Sequence, residues 1–175
     1  MDIPVQLPLT KNKALQLRCK NSLLLSGTLY TARDAAHRRM TELLQAGKPL
    51  PFDIQDATIY YVGPTPARPG QIIGSAGPTT SYRMDAYTPA LLDLGLRGMI
   101  GKGMRGQAVI DSMKKNDAVY FGAIGGAGAL LSQCIVQCET VAFADLGPEA
   151  IYRLTVRDFP VVVAIDAFGS NIFDR

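Results

Sequence analysis

The chain has 175 residues, of which 47% are hydrophobic and 19% charged, and its formal net charge is +3. These values fit one globular domain with a substantial core and exclude a disordered chain. The positive surplus is too small and too dispersed for a nucleic-acid binder, no apolar run is long enough to span a membrane, and no secretory leader opens the sequence, so a cytoplasmic protein is expected.

In chain order, residues 1–10 read as an extended N-terminal segment whose two prolines suit a sheet edge, within a single domain covering 1–175. Segments 14–18 and 23–26 predict short strands around a Lys20-Asn21 turn. A helix is expected from Thr31 as N-cap, with Asp34 favourably placed against the helix N-terminus, ending at Gly47 before Pro49. Segment 57–62 predicts a strand, 63–70 a Pro- and Gly-rich loop, and 71–75 a strand leading into a glycine turn. Residues 80–94 carry a helical pattern with Met84, Tyr87 and Leu91 on one face; Pro89 either kinks that helix or starts a second one capped by Thr88. Strands at 96–100 and 118–124 flank a helix at 105–115. An apolar helix at 127–137 is followed by strands at 140–143, 151–156 and 160–166 and a turn at Phe168-Gly169-Ser170. Mixed strands and helices with short links specify an α/β fold, built in layers over one core.

The most informative stretch runs from Gly74 to Asp85. Small residues, Gly77 among them, bring backbone N–H groups close to a ligand, Thr79 and Thr80 add hydroxyls, and Arg83 follows one helical turn later. Amide donors that need no side-chain ordering, beside a planar guanidinium, suit a small carboxylate or phosphate. One of the two threonines is expected to cap the following helix, leaving the other to face a ligand. Lys102 lies between Gly101 and Gly103 where a strand ends, the position at which α/β folds gather ligands. Arg33 and His37 share a helical stripe with Met40 and Leu44, which aims them inward at the start of that helix. His37, the single histidine, is expected to be a hydrogen-bonded residue behind the site, and Asp34 a partner for Arg33. Arg105 reads as solvated or salt-bridged. Three cations at element junctions imply a ligand with more than one negative group.

Two other features are weaker. The Gly122–Gly128 run and Asp145 imitate a dinucleotide-binding unit, but Leu131 stands where the third glycine belongs; a nucleotide- or phosphate-binding module using the Gly125-Gly126 turn is the alternative reading. The three cysteines, Cys19, Cys134 and Cys138, form no disulfide framework. Cys134 and Cys138 would share a helix face as small buried hydrophobes, and a metal site would need a further soft ligand.

Four ordered motifs, Ser26 to His37, Gly77 to Asp85, Gly101 to Arg105 and Asp158 to Val163, resemble the β subunit, or C-terminal domain, of the iron–sulfur hydro-lyases, class I fumarate hydratase and L(+)-tartrate dehydratase. The resemblance implies a swivelling β/β/α fold that closes over substrate, with mixed sheets and packing helices. It implies that Arg33, Thr79, Thr80, Arg83 and Lys102 face the substrate, and that no metal is held by this chain. A 4Fe–4S cluster would be held by three cysteines of an α subunit, in an α2β2 complex or around a β homodimer. Pro89 is not expected within the family's helix. The small dicarboxylate would be fumarate or malate first and tartrate next.

Overall fold

The computed structural model describes residues 2–123 and 128–174. Alternation of apolar residues dictates most of its strands. In Ser22–Thr31 (β2), Leu23, Leu25 and Leu29 point to one side and are fully buried. The short strands Thr58–Tyr60 (β3) and Gly98–Gly101 (β4), and the first three residues of Val119–Ala123 (β5), are buried on both faces, as parallel strands covered on both sides must be. They run parallel to one another and to β2, and the edge strand Ile3–Gln6 (β1) pairs in parallel with the first half of β2. The long strand Ile151–Ile165 (β7) pairs antiparallel with β5 on one side and β2 on the other, closing β2-β3-β4-β5-β7 into a five-stranded barrel. Ile135–Ala142 (β6) adds to the free stretch of β7.

Two cores follow from that closure. One fills the barrel with Leu25, Leu29, Tyr60, Phe121, Leu154 and Val161. The other lies on the opposite face of β3–β5, where Ile59, Met99 and Tyr120 meet the helices Asp34–Gln45 (α2), Thr88–Asp93 (α3) and Gln107–Asn116 (α4) through Met40, Leu91 and Met113. The result is the expected single-domain α/β arrangement of mixed sheet and packing helices.

Several local expectations are overturned. Residues 14–18 are not a strand: Lys11–Gln16 is a helix (α1) whose N-cap Thr10 accepts a hydrogen bond from Lys13 N at 3.3 Å. Thr31 does not cap α2, because its hydroxyl is committed to β7, donating to Ala150 O and accepting from Tyr152 N at 3.0 Å; β2 therefore continues to Thr31 and α2 begins at Asp34. Of the two readings of Pro89, the second holds: it sits in the first turn of a separate helix, α3, after the 3₁₀ turn Ser81–Met84. The hydroxyl of Thr88 serves not as a cap but as a donor to Met84 O. The expected helix at 127–137 is only Gly128–Ser132 (α5) among described residues; Cys138 lies in β6, so it and Cys134 do not share a helix face. Asp158, at φ +51°, lets the two strands expected at 151–156 and 160–166 run on as one.

Candidate functional site

The site is assembled where β2, β3, β4 and β5 end. All four run the same way, so the chain leaves each at the same rim, the usual ligand edge of a parallel sheet. Arg33 and Asp34 follow β2, Gly63 follows β3, Lys102 follows β4, and Ala123 ends β5. An open cleft of about 460 Å³ is lined by Gly63, Thr65, Ser75, Gly77, Pro78, Lys102 and Ala123.

The segment expected as a strand at 71–75 forms no ladder. Its backbone is instead pinned to Thr65, which exchanges Thr65 N to Ser75 O at 3.0 Å and accepts Ser75 N on its hydroxyl at 2.7 Å. Beyond it, Thr79 N donates to Tyr61 O at 2.7 Å and Ser81 N to Lys102 O at 2.9 Å, while Thr80 and Lys102 pair in parallel. The Thr79-Thr80 segment is thereby inserted between the ends of β3 and β4. Gly101 admits it: a Cβ there would collide with the Ser81 hydroxyl. Thr80 is N-cap of the 3₁₀ turn but makes no side-chain cap hydrogen bond.

The cations meet in two groups. Arg33, in extended backbone conformation at the N-cap of α2, brings its Nε to 3.9 Å from Asp34 Oδ1, and Arg83 Nη2 approaches the same oxygen at 3.3 Å. Neither Arg33 Nε nor Asp34 Oδ1 makes a hydrogen bond among the described residues, although both atoms are buried. Asp34 thus draws two guanidinium groups together without saturating either. Lys102 belongs to the second group, exposed and anchored through its own backbone to Thr80 and Ser81. Gly63 links the groups: it lines the cleft with Lys102 and Gly77, and a Cβ on it would lie 2.8 Å from Arg33 Cδ.

His37 is buried beneath this edge, 1% exposed. Its Nδ1 lies 2.9 Å from Arg33 O, and its ring meets Tyr61 edge-on at 5.6 Å. Burial, with help from the Arg105 charge, lowers its pKa from 6.5 to about 4. The ring is therefore neutral at pH 7, with Nδ1–H donating to the Arg33 carbonyl and Nε2 without a partner among the described residues.

Of the two readings of Arg105, the salt-bridged one holds: it pairs with Asp85 at 2.7 Å, and its side chain is wholly buried. Gly63, Thr65 and Asp85 are contributors that the sequence did not single out; Asp85 closes the Gly-Pro-Thr-Thr motif, and its carboxylate was the available signal. The Gly125-Gly126 turn on which the nucleotide-binding alternative rests lies outside the described residues. Among those described, no three His, Cys, Asp or Glu side chains are placed to hold a metal ion, and no helix is long and apolar enough to cross a membrane.

A family model described as "Fumarase C-terminus" matches residues 1–175. The anaerobic class I fumarate hydratase of Escherichia coli (strain K12) is 43% identical over 155 residues, covering 87% of this chain and 28% of the relative. Fumarate hydratase 2 of Leishmania major is 38% identical over 155 residues, covering 87% and 27%. A putative L(+)-tartrate dehydratase subunit beta of Methanocaldococcus jannaschii is 35% identical over 173 residues, covering 95% of this chain and 89% of the relative. The chain therefore spans little more than a quarter of those fumarate hydratases but nearly all of the tartrate dehydratase subunit.

Proposed function

The chain belongs to the fumarase C-terminus family, and from that premise we propose that it is the β subunit of an iron–sulfur-dependent hydro-lyase. It would add water reversibly to an unsaturated dicarboxylate, fumarate to L-malate first and tartrate dehydration next. The observation that supports the reading is that Arg33 and Arg83 meet at Asp34 while Lys102 lines the adjacent cleft, with Gly63 touching both: it lines that cleft and packs against Arg33. Set against Asp34, three cations leave two positive charges in excess, which matches a substrate with two carboxylates.

Residues of this chain would bind, orient and stabilise. Arg33 and Arg83, held together by Asp34, grip a carboxylate through several N–H donors in a fixed fork. Lys102 offers a mobile point charge across the cleft. Removal of a proton from the carbon beside a carboxylate spreads negative charge onto that carboxylate. Cations already in place are most effective where such charge develops, because nothing has to reorganise at that moment. Thr79 and Thr80 orient the substrate by hydrogen bonding, since an isolated hydroxyl is a poor base. Gly77 keeps the loop backbone close to the cleft, and His37 holds the Arg33 carbonyl from behind.

The three cysteines are free and partly buried, with burial raising each thiol. The 4Fe–4S group of such an enzyme would be held by the α subunit and would supply the Lewis acid that helps hydroxide leave. Tyr82 and Met104, 64% and 61% exposed, stand immediately beside Arg83 and Gly103, and Leu130 on α5 is 56% exposed. Large apolar side chains left exposed next in sequence to candidate site residues favour a second protein surface over open solvent, which supports an α subunit as partner, in an α2β2 complex by the family reading. Unpaired thiols favour the cytoplasm.

The test is anaerobic co-purification with a cluster-bearing subunit, then hydration assays on fumarate, its methyl-substituted relatives and, in the dehydrating direction, L(+)-tartrate. Turnover of one of these by the assembled complex, and none by the chain alone, is expected. A cluster-loaded complex that turns over none of them would overturn the reading.

A further inference from the structure

One cation next to the cleft has no access to it. Arg105, three residues after Lys102, has a side chain with no solvent exposure, and every nitrogen of its guanidinium is engaged inside the fold. Nε donates to Asp85 Oδ1 at 2.7 Å, Nη2 to Thr88 Oγ1 at 3.0 Å, and Nη1 contacts Met99 Sδ at 3.4 Å. Tyr61 and Tyr120 place their rings 5.1 and 5.0 Å from its charge.

Asp85, Thr88, Tyr61 and Tyr120 each lead to a segment that carries a candidate site residue. Asp85 ends the 3₁₀ turn that bears Arg83, and its second oxygen accepts Gly106 N at 2.6 Å, tying that turn to the start of α4. Thr88, held by Arg105, donates in turn to Met84 O at the end of the same turn. Tyr120 donates its hydroxyl to Gly103 O at 2.8 Å, beside Lys102, and therefore accepts from the Ser81 hydroxyl at 2.7 Å, beside Thr80. Tyr61 accepts Thr79 N on its carbonyl. A buried charge with this many satisfied contacts resists displacement, because moving any partner would leave it unpaired in an apolar setting.

We infer that Arg105 is a positioning residue that sets the relative placement of Arg83, Thr80 and Lys102 by locking the two segments that bear them. The inference rests on the hydro-lyase reading, since it concerns how that site is held. Lysine at this position keeps the charge but loses the planar fork that satisfies Asp85 and Thr88 together.

The experiment compares Arg105→Lys, Tyr120→Phe and Arg83→Ala in the complex with the cluster-bearing subunit. It measures kcat, KM, inhibition by succinate as a saturated dicarboxylate probe, and the thermal midpoint. Arg105→Lys is expected to lower kcat/KM at least tenfold and to weaken succinate inhibition by a comparable factor at a temperature far below its midpoint. Tyr120→Phe, which severs only the hydroxyl ties to Ser81 and Gly103, is expected to act in the same direction by about threefold. A lowered midpoint with unchanged succinate inhibition and kcat/KM would make Arg105 merely structural and overturn the inference. Should Arg105→Lys fail to assemble, Asp85→Asn, which keeps an acceptor for Gly106 N but loses the charge, is judged by the same criteria. The hydro-lyase reading fails separately: it is refuted by a parent complex that turns over none of the diacids, whereas impaired Arg83→Ala beside an indifferent Arg105→Lys refutes only the positioning role.

Discussion

Replacing Arg83 by alanine separates binding from folding cleanly. Its side chain is 41% exposed and its ion pair with Asp34 spans 3.3 Å, so its loss should cost the fold under about 1 kcal/mol, the range of partly exposed pairs. For a domain of this size that lowers the thermal midpoint by no more than about 2–4 °C. The effect on turnover should be far larger. A hydrogen bond to a charged group contributes about 1.5–3 kcal/mol, and one made more strongly in the transition state carries that difference directly into kcat/KM. The expected fall is therefore about 10- to 150-fold. Asp34 adds to it: with Arg83 gone, its carboxylate retains only Arg33 and repels the substrate more strongly. The double variant Arg83→Ala/Asp34→Asn should accordingly recover part of the loss. Steady-state kinetics on the anaerobically assembled complex, alongside its melting curve, measure both quantities. A fall below threefold, or one matched by a collapse of the melting transition, would refute the reasoning.

Gly63→Ala removes no functional group, yet its Cβ would meet Arg33 Cδ at 2.8 Å; kcat/KM of the complex should fall several-fold while the urea midpoint barely moves. Gly101→Ala forces a methyl group against Ser81 and against Tyr61 Cδ2 at 2.8 Å, so urea unfolding should show a loss of about 1–3 kcal/mol, partly restored by Ser81→Gly. His37 is held neutral in the fold, chiefly by burial, and protonates near pH 4 there but near 6.5 when unfolded. The unfolded chain therefore binds more protons between those values, and the His37 contribution is complete above pH 6.5 and lost progressively as pH falls towards 4, by about 3 kcal/mol in all. Melting midpoints of His37→Gln should decline less steeply than those of the parent between pH 7 and 4.5; parallel slopes would contradict this.

How much of this was legible beforehand differs element by element. Local signals were sufficient where the determinant was local: Gly47 with φ +70° ended α2 as expected, and the apolar runs at 57–62 and 118–124 became β3 and β5. They failed where a distant partner intervened. Thr31 looks like an ideal helix cap until β7 claims its hydroxyl from 119 residues away, and the 71–75 run looks like a strand until Thr65 occupies its backbone groups. The 151–166 region read as two strands because nothing local announces that Asp158 will adopt a left-handed conformation and let one strand close the barrel.

The amino-acid order alone determined the α/β class, the glycine-bounded cationic segments and the family to which they point, because those depend on residue type and short spacing. Only the tertiary structure decided which cations gather at this edge and which is turned away from it. Arg33 and Lys102 follow strands that finish at one rim, and Arg83 reaches Asp34 from the 3₁₀ turn that follows the segment inserted between two of those strands. Arg105, three positions from Lys102, is turned into the core, where Asp85 and two tyrosine rings compensate its charge. Charge type is written in the chain, but desolvation and pairing are set by whatever the fold packs around it.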